Sequence, residues 1–217
     1  MGGCVGVPTA PAEALPRAGH PADFVNRLLD VVEHEIAPKT SNAVLDGNKL
    51  FGAAVIRKAD LSVVAADTNR EMDWPLLHGE VSCLRTLNSM PVEERPWPKD
   101  CYFIATHEPC SLCLSAITWS GFDNFYYLFS YEDTKHAFKI PHDLKILKEV
   151  FNCDRGKYNR KNEFWTAHSI SDLIDKLSTD AKKKCRLRME ALRQKYNGMS
   201  LVYQQHKSCN HGHIPLS

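Results

Sequence analysis

Residues 101–131 read CYFIATHEPCSLCLSAITWSGFDNFYYLFSY, and their pattern of apolar residues indicates the fold class. Residues 101–106 form a short apolar run typical of a buried strand, and residues 125–131 form a second one. Between them, residues 110–120 predict a helix. Because a helix that connects two successive strands usually makes them parallel, the stretch predicts a layered α/β fold.

The residues before this stretch predict two more strands and two helices. Residues 51–56 and 61–66 are apolar runs with β-branched side chains, joined by a polar link, which predicts an antiparallel hairpin. Apolar residues at helical spacing predict a helix over residues 22–36 that stops near Pro38. A further helix is predicted over residues 78–90.

The residues after this stretch give weaker patterns. A helix is predicted over residues 143–151 and a strand over residues 164–167. Ser171 is predicted to cap a last helical region whose basic part covers residues 182–196. The Asn-Gly pair at residues 197–198 is predicted to end that helix.

Length and composition indicate one folded domain. The chain has 217 residues, 43% of them hydrophobic and 24% charged, with a net charge of +1. No apolar run approaches the roughly 18 residues of a membrane span, so we expect a soluble protein without a membrane partner. We place the folded domain at residues 21–178, between a disordered leader (1–20) and a basic C-terminal helix with a flexible tail (179–217).

The eight cysteines favour thiols and metal ligands over disulfides. A disulfide framework is typical of small secreted chains, and the N-terminal residues lack the pattern of a signal peptide. We therefore expect a reducing, cytoplasmic location.

Two fragments carry the chemistry: His78-Gly79-Glu80 and the Pro-Cys-x-x-Cys run that contains Cys110 and Cys113. Cysteines at positions i and i+3 lie on one face of a helix, so both sulfurs reach a single ion. With His78 they make three ligands, one fewer than a structural zinc site, which leaves a place for a water that the metal acidifies. Glu80 lies close enough to move protons without ligating the metal.

Other interpretations of these residues exist. A Cys-x-x-Cys pair alone fits a redox pair or a structural zinc site equally well. The second alternative is a protein without catalytic activity, in which zinc stabilises a binding module.

Together, His-x-Glu followed by Pro-Cys-x-x-Cys resembles the cytidine deaminase-like superfamily over residues 51–131 and the preceding helix. The resemblance implies a three-layer α/β/α fold with a central mixed five-stranded sheet. It also implies bound Zn²⁺ and hydrolytic deamination at a C–N bond of a cyclic amidine, in a purine or pyrimidine base or nucleoside. Such proteins commonly pair near the active site, so we expect a homodimer.

Seven further residues are candidates for contacting the substrate. Within the resemblance, residues 51–55 are similar to the family's first strand, and Asn69 stands nine residues before His78, where the family has a substrate-binding asparagine. An asparagine after a strand is also a common turn former. The candidates are Phe51, Asn69, Gly79, His107, Trp119, Phe164 and Trp165.

These candidates disagree about the base. The residues around Trp119 are similar to guanine deaminases and tRNA adenosine deaminases, and to guanine deaminases in particular. Gly79 between His78 and Glu80 is instead similar to fungal cytosine deaminases. Phe164 and Trp165 are the best pair for a lid over the base, although each aromatic ring fits the core equally well.

The basic residues 182–195 allow a second substrate class. Clustered lysines and arginines track a phosphate backbone, which would fit a tRNA or single-stranded polynucleotide deaminase. A charged helix face is more often simply solvated, so a small-molecule base or nucleoside is favoured over a nucleic-acid partner.

Overall fold

A computed structural model describes residues 20–207 and 214–216. Nearly all of the predicted leader and the residues 209–213 of the predicted tail lie outside this range. In the described residues, no helix is long and apolar enough to cross a membrane.

The centre of the protein is one five-stranded sheet with the order β2-β1-β3-β4-β5. β1 pairs antiparallel with both β2 and β3, whereas β3, β4 and β5 run parallel. The sheet is therefore mixed, which confirms the predicted fold class and the predicted hairpin. The strands are β1 (Gly52–Arg57), β2 (Val63–Thr68), β3 (Cys101–His107), β4 (Asn124–Phe129) and β5 (Thr166–Ser169).

Helices cover both faces of the sheet because the central strands β1, β3 and β4 are apolar and buried on both sides. One face packs against α1, α2, α7 and α8, and the other packs against α3 and α4. Alternate residues of β3 show this: Ile104 joins the first core, and Phe103 and Ala105 join the second. The helices are α1 (Pro21–Asp30), α2 (Ala37–Leu45), α3 (Gly79–Asn88), α4 (Ser111–Trp119), α5 (Tyr131–His136), α6 (His142–Phe151), α7 (Ile170–Asp175) and α8 (Thr179–His206).

The prediction that Pro38 ends the first helix is wrong. A π-helical turn, Val31–Ile36, joins α1 to α2, and the Ala37 amide donates to the Val32 carbonyl across five residues. Pro38 then lies in the first turn of α2, where a proline's missing N–H has little effect. The wider π turn thus lets the helical path continue past the proline.

The predicted end of the last helix at residues 197–198 is also wrong. α8 passes through Gly198 and continues to His206, with Tyr196, Met199 and Tyr203 buried in the core. A glycine inside a helix costs about 1 kcal/mol, whereas each large buried side chain contributes roughly 1.5–3 kcal/mol. Packing therefore decides where this helix ends.

Smaller differences concern two strands and one cap. β4 ends at Phe129, and Tyr131 starts α5 behind a Ser130 capping box. β5 lies two residues later than predicted. Ser169, and not Ser171, caps the helix that follows. The sheet and its order are unaffected.

Candidate active site

The three predicted metal ligands stand at the beginnings of two helices. His78 is the N-cap of α3, and Cys110 is the N-cap of α4, directly after β3. Cys113 follows in the first turn of α4, so both sulfurs lie on one side of that helix. The structure brings the three side chains together at the carboxyl end of β3.

Their spacing fits a zinc ion. The Nδ1 atom of His78 lies 3.4 Å from the Cys110 sulfur and 3.7 Å from the Cys113 sulfur, and all three donor atoms lie within 4.8 Å of one another. Zinc with ordinary bond lengths and tetrahedral angles separates a nitrogen and a sulfur ligand by about 3.6 Å. The donor set thus confirms the predicted Zn²⁺, and among the described residues it supplies three ligands.

The surroundings favour a thiolate at Cys110. The neighbouring Cys113 thiol, together with the His78 imidazole, lowers the pKa of Cys110 well below its ordinary value. The free amides at the start of α4 act in the same direction. A deprotonated sulfur is the form that binds zinc.

Glu80 lies beside the ligands and is almost completely buried. One of its carboxylate oxygens is 3.2 Å from the Cys113 sulfur. Burial raises the pKa of Glu80 to about 7. A carboxyl group that is neither always charged nor always neutral near pH 7 suits proton transfer in both directions.

These residues line a small cavity of about 10 Å³. Phe51 is among the lining residues, and its predicted contact with substrate stays a prediction. The remaining lining comes from residues around the metal ligands and from one further helix. The lining residues are Phe51, His78, Glu80, His107, Glu108, Cys110, Cys113 and Asp143.

Asp143 and Glu108 are the two lining residues that sequence reasoning missed. Asp143 lies half-buried in the first turn of α6, and desolvation there raises the pKa of its carboxyl well above the ordinary value. A carboxylate in the first turn is common in helices, where it stabilises the positive end of the dipole. Because this residue type and place are ordinary, the sequence contains no signal that separates Asp143 from a solvated helix end.

His107 faces the cavity region as a neutral ring. Its Nδ1 atom is 2.8 Å from the Thr106 hydroxyl, and its Nε2 atom has no hydrogen-bond partner among the described residues. The rings of Phe51 and Phe138 pack against it at 4.7 and 5.0 Å. Burial lowers the pKa of His107 to about 3, so the imidazole offers a hydrogen bond without a charge.

The carboxylate of Glu108 is already engaged in hydrogen bonds with residues after β4. Its carboxylate, which is almost fully buried, accepts hydrogen bonds from the Arg160 guanidinium at 2.7 Å and from the Tyr158 hydroxyl at 2.9 Å. The Tyr131 amide donates to its other oxygen. This carboxylate therefore anchors the segment after β4 to the start of α4.

Gly79 and Asn69 do not line the cavity, but each contacts residues next to it. A Cβ atom at Gly79 would come within 2.7 Å of the main chain at Phe51 and Gly52, so only glycine allows α3 to start this close to β1. Asn69 is completely buried, and both ends of its side-chain amide are bonded to Glu71. Its predicted contact with substrate stays a prediction.

The three other aromatic candidates lie outside the cavity. Trp119 is 90% exposed at the far end of α4, about 9 Å along the helix from Cys113 and about 14 Å from Cys110, and it lines a separate cavity of about 760 Å³. Phe164 is largely exposed. Trp165 is buried against Phe125, and its indole N–H donates to Thr118. The structure does not bring these rings to the metal ligands.

Comparison with known proteins finds one family that matches part of this chain. Residues 32–129 match the family described as the cytidine and deoxycytidylate deaminase zinc-binding region. A search of curated proteins finds no match.

Solved structures resemble the chain at low sequence identity. The guanine deaminase from Nitrosomonas europaea is 20% identical over 82% of this chain and 85% of its own, with a TM-score of 0.44. A tRNA:A34 deaminase is 18% identical over 68% and 96%, with a TM-score of 0.42. The guanine deaminase from Bacillus subtilis is 21% identical over 65% and 97%, with a TM-score of 0.40.

Proposed function

We propose that this chain, which belongs to the cytidine deaminase-like superfamily, is a zinc-dependent hydrolytic deaminase of a free purine or pyrimidine base. One observation carries the proposal. Three candidate zinc ligands line one small cavity together with Glu80 and Asp143, two carboxyl groups besides that of Glu108, which is paired with Arg160. A closed structural zinc site would have a fourth protein ligand and would need neither carboxyl group.

In the proposed reaction a water oxygen bonds to the amine-bearing carbon of the base, and the C–N bond breaks to release ammonia. Bound zinc supplies Lewis acidity that makes the water easier to deprotonate. Glu80 takes one proton from the water and delivers it to a ring nitrogen. It then takes the second proton from the hydroxyl that has formed on the carbon and passes it to the amine, which leaves as ammonia while the carbonyl forms. The protein needs no organic cofactor, because water is the second substrate.

Substrate entry requires a movement of the cavity wall. A cavity of about 10 Å³ holds about one water molecule and is smaller than any base. α6, which carries Asp143, has Leu147 as its only buried residue, so it is the most loosely packed lining element. We propose that α6 opens to admit the base and then closes over it, which brings Asp143 against the substrate and excludes water.

The basic C-terminal helix supports a base over a polynucleotide. Its arginines are paired with acidic side chains of the same chain: Arg186 with Asp175, Arg188 with Asp30, and Arg193 with Asp133. Charges that are already paired contribute little to phosphate binding. Homodimer formation and a cytoplasmic location accompany the proposal as predictions.

The test is ammonia release from the zinc-loaded protein with cytosine, guanine and adenine, with their nucleosides, and with pterin and triazine analogues. We expect at least one free base to be deaminated faster than its nucleoside. Deamination of tRNA or single-stranded polynucleotide in place of every base would support the alternative substrate class. No turnover of any of these compounds would support the non-catalytic zinc module.

A further inference from the structure

The side of His78 that faces away from the metal ligands meets a buried carboxylate. Its Nδ1 atom points to the two sulfurs, whereas its Nε2 atom lies 3.6 Å from an Oε1 atom of Glu71. The side chain of Glu71 is only 3% exposed. The imidazole therefore stands between the metal position and a negative charge that has little access to water.

Glu71 is held in place by two other side chains. The Lys49 ammonium lies 2.9 Å from Oε1, and the Asn69 amide donates to Oε2 at 2.6 Å. The backbone amide of Glu71 in turn donates to the Asn69 side-chain carbonyl. This network fixes the carboxylate on the Nε2 side of the ring.

A buried ion pair is a poor source of stability. The side chain of Lys49 is 6% exposed, so both charges of the Lys49–Glu71 pair have lost most of their hydration. Their attraction repays that loss only with very good geometry, and apolar residues of similar size often stabilise a protein as well. A further interaction of the carboxylate is the physical reason to keep such a pair here.

We propose that Glu71, held by Lys49 and Asn69, is a positioning residue for the metal ligand His78. A negative charge beside Nε2 favours the tautomer with its proton on that nitrogen, which leaves the lone pair of Nδ1 free for zinc. The same charge makes Nδ1 a stronger ligand and fixes the plane of the ring. The proposal rests on the zinc site and is independent of which base is the substrate.

The test uses Glu71→Gln, which keeps the shape and removes the charge. We expect zinc to bind about 10- to 100-fold more weakly, because losses of this size follow the removal of carboxylate partners from metal-binding histidines. Competition with a chromophoric chelator measures the affinity. The visible absorption bands of the Co²⁺-loaded protein should shift as well, and Glu71→Asp, which keeps the charge, should restore part of the affinity.

Asp123→Asn is the matched control. Asp123 is paired with Lys58 at 2.9 Å and lies at the start of β4, at the end of the sheet opposite the ligands. We expect this variant to bind zinc as the wild type does, even where its stability falls. Unchanged zinc affinity in a folded Glu71→Gln protein would overturn the proposal, since a purely structural Glu71 would alter only stability.

Glu71→Gln also removes the partner charge of the buried Lys49, which can prevent folding. The double variant Lys49→Met/Glu71→Gln avoids this because no unpaired charge remains. It should show the same 10- to 100-fold loss of zinc affinity. Wild-type affinity in the folded double variant would refute the positioning role.

Discussion

His107 shows how a single buried residue makes stability depend on pH. Aromatic rings surround it, and burial lowers the pKa of its imidazole to about 3 in the folded protein. In the unfolded chain a histidine has a pKa of about 6.5. Between about pH 6.5 and pH 3 the unfolded chain binds a proton at this histidine and the folded protein does not. The free energy of unfolding therefore falls as the pH decreases from about 6.5 toward 3.

We predict that His107→Leu removes this part of the pH dependence. Between pH 8 and pH 5 the wild type should lose about 2 kcal/mol more unfolding free energy than the variant, because each pH unit below the unfolded pKa is worth about 1.4 kcal/mol. Urea unfolding at the two pH values, with equal zinc, measures the difference. Parallel losses in both proteins would contradict the neutral state of His107.

Among single residues, the sequence reveals those whose spacing is imposed by chemistry. His78, Cys110 and Cys113 bind one ion from helix starts, so residue type and spacing suffice to find them. Glu71 lies in a loop and Asp143 lies in α6. Both come close to these ligands only because the folded chain returns to them. No short-range pattern encodes such an approach, and only the structure shows it.

At the scale of elements, α8 illustrates how packing overrides a local stop signal. Gly198 is helical and exposed, and a Cβ atom placed there would have no neighbour within 4 Å. Gly121 has the same open surroundings, but its backbone lies in the left-handed region with a φ of 82°. Neither position would crowd an added side chain, so a comparison of the two glycines isolates the effect of backbone conformation on stability.

We predict opposite effects when each glycine is replaced by alanine. Gly198→Ala should raise the unfolding free energy by about 0.5–1 kcal/mol, because alanine restricts the unfolded chain and fits the helix. Gly121→Ala should lower it by roughly 1–2 kcal/mol, because a side chain is strained in the left-handed region. Thermal or urea unfolding measures both, and a destabilising Gly198→Ala would show that α8 is not helical there.

Elements with a strong period could be predicted, and elements decided by distant contacts could not. The β1–β2 hairpin and the β3-α4-β4 unit have clear apolar runs and were found at nearly the right residues. Passage of the helical path through Pro38 depends on a π turn that the core stabilises. The proline by itself predicts that the helix ends there.

At the scale of the whole molecule, ion pairs attach α8 to the rest of the domain. Arg188 reaches Asp30 at 2.6 Å and Glu33 at 2.9 Å, and so links α8 to the α1 layer. The Glu33 carboxylate has a lowered pKa because Arg188 donates a hydrogen bond to it. The charge that the sequence presents as a basic run thus serves contacts within the fold.

We predict that Arg188→Ala lowers the unfolding free energy by about 1 kcal/mol and leaves binding of tRNA unchanged and weak. The exposed Lys183 on the same helix supplies the control, because Lys183→Ala should alter neither quantity. Urea unfolding and a salt titration of tRNA binding measure the two effects. If the wild type bound tRNA tightly and in a salt-sensitive way, and Arg188→Ala abolished that binding, this helix would be a nucleic-acid-binding surface.

The role of Glu80 in moving the protons of a zinc-dependent deamination can be tested by replacing its carboxylate. Ammonia release is followed for the wild type and Glu80→Gln at equal zinc content, with the best base from the substrate panel. We predict a loss of about 10²- to 10⁴-fold in turnover with one zinc retained per chain. A Glu80→Gln protein that deaminates the base as fast as the wild type would show that Glu80 does not move these protons.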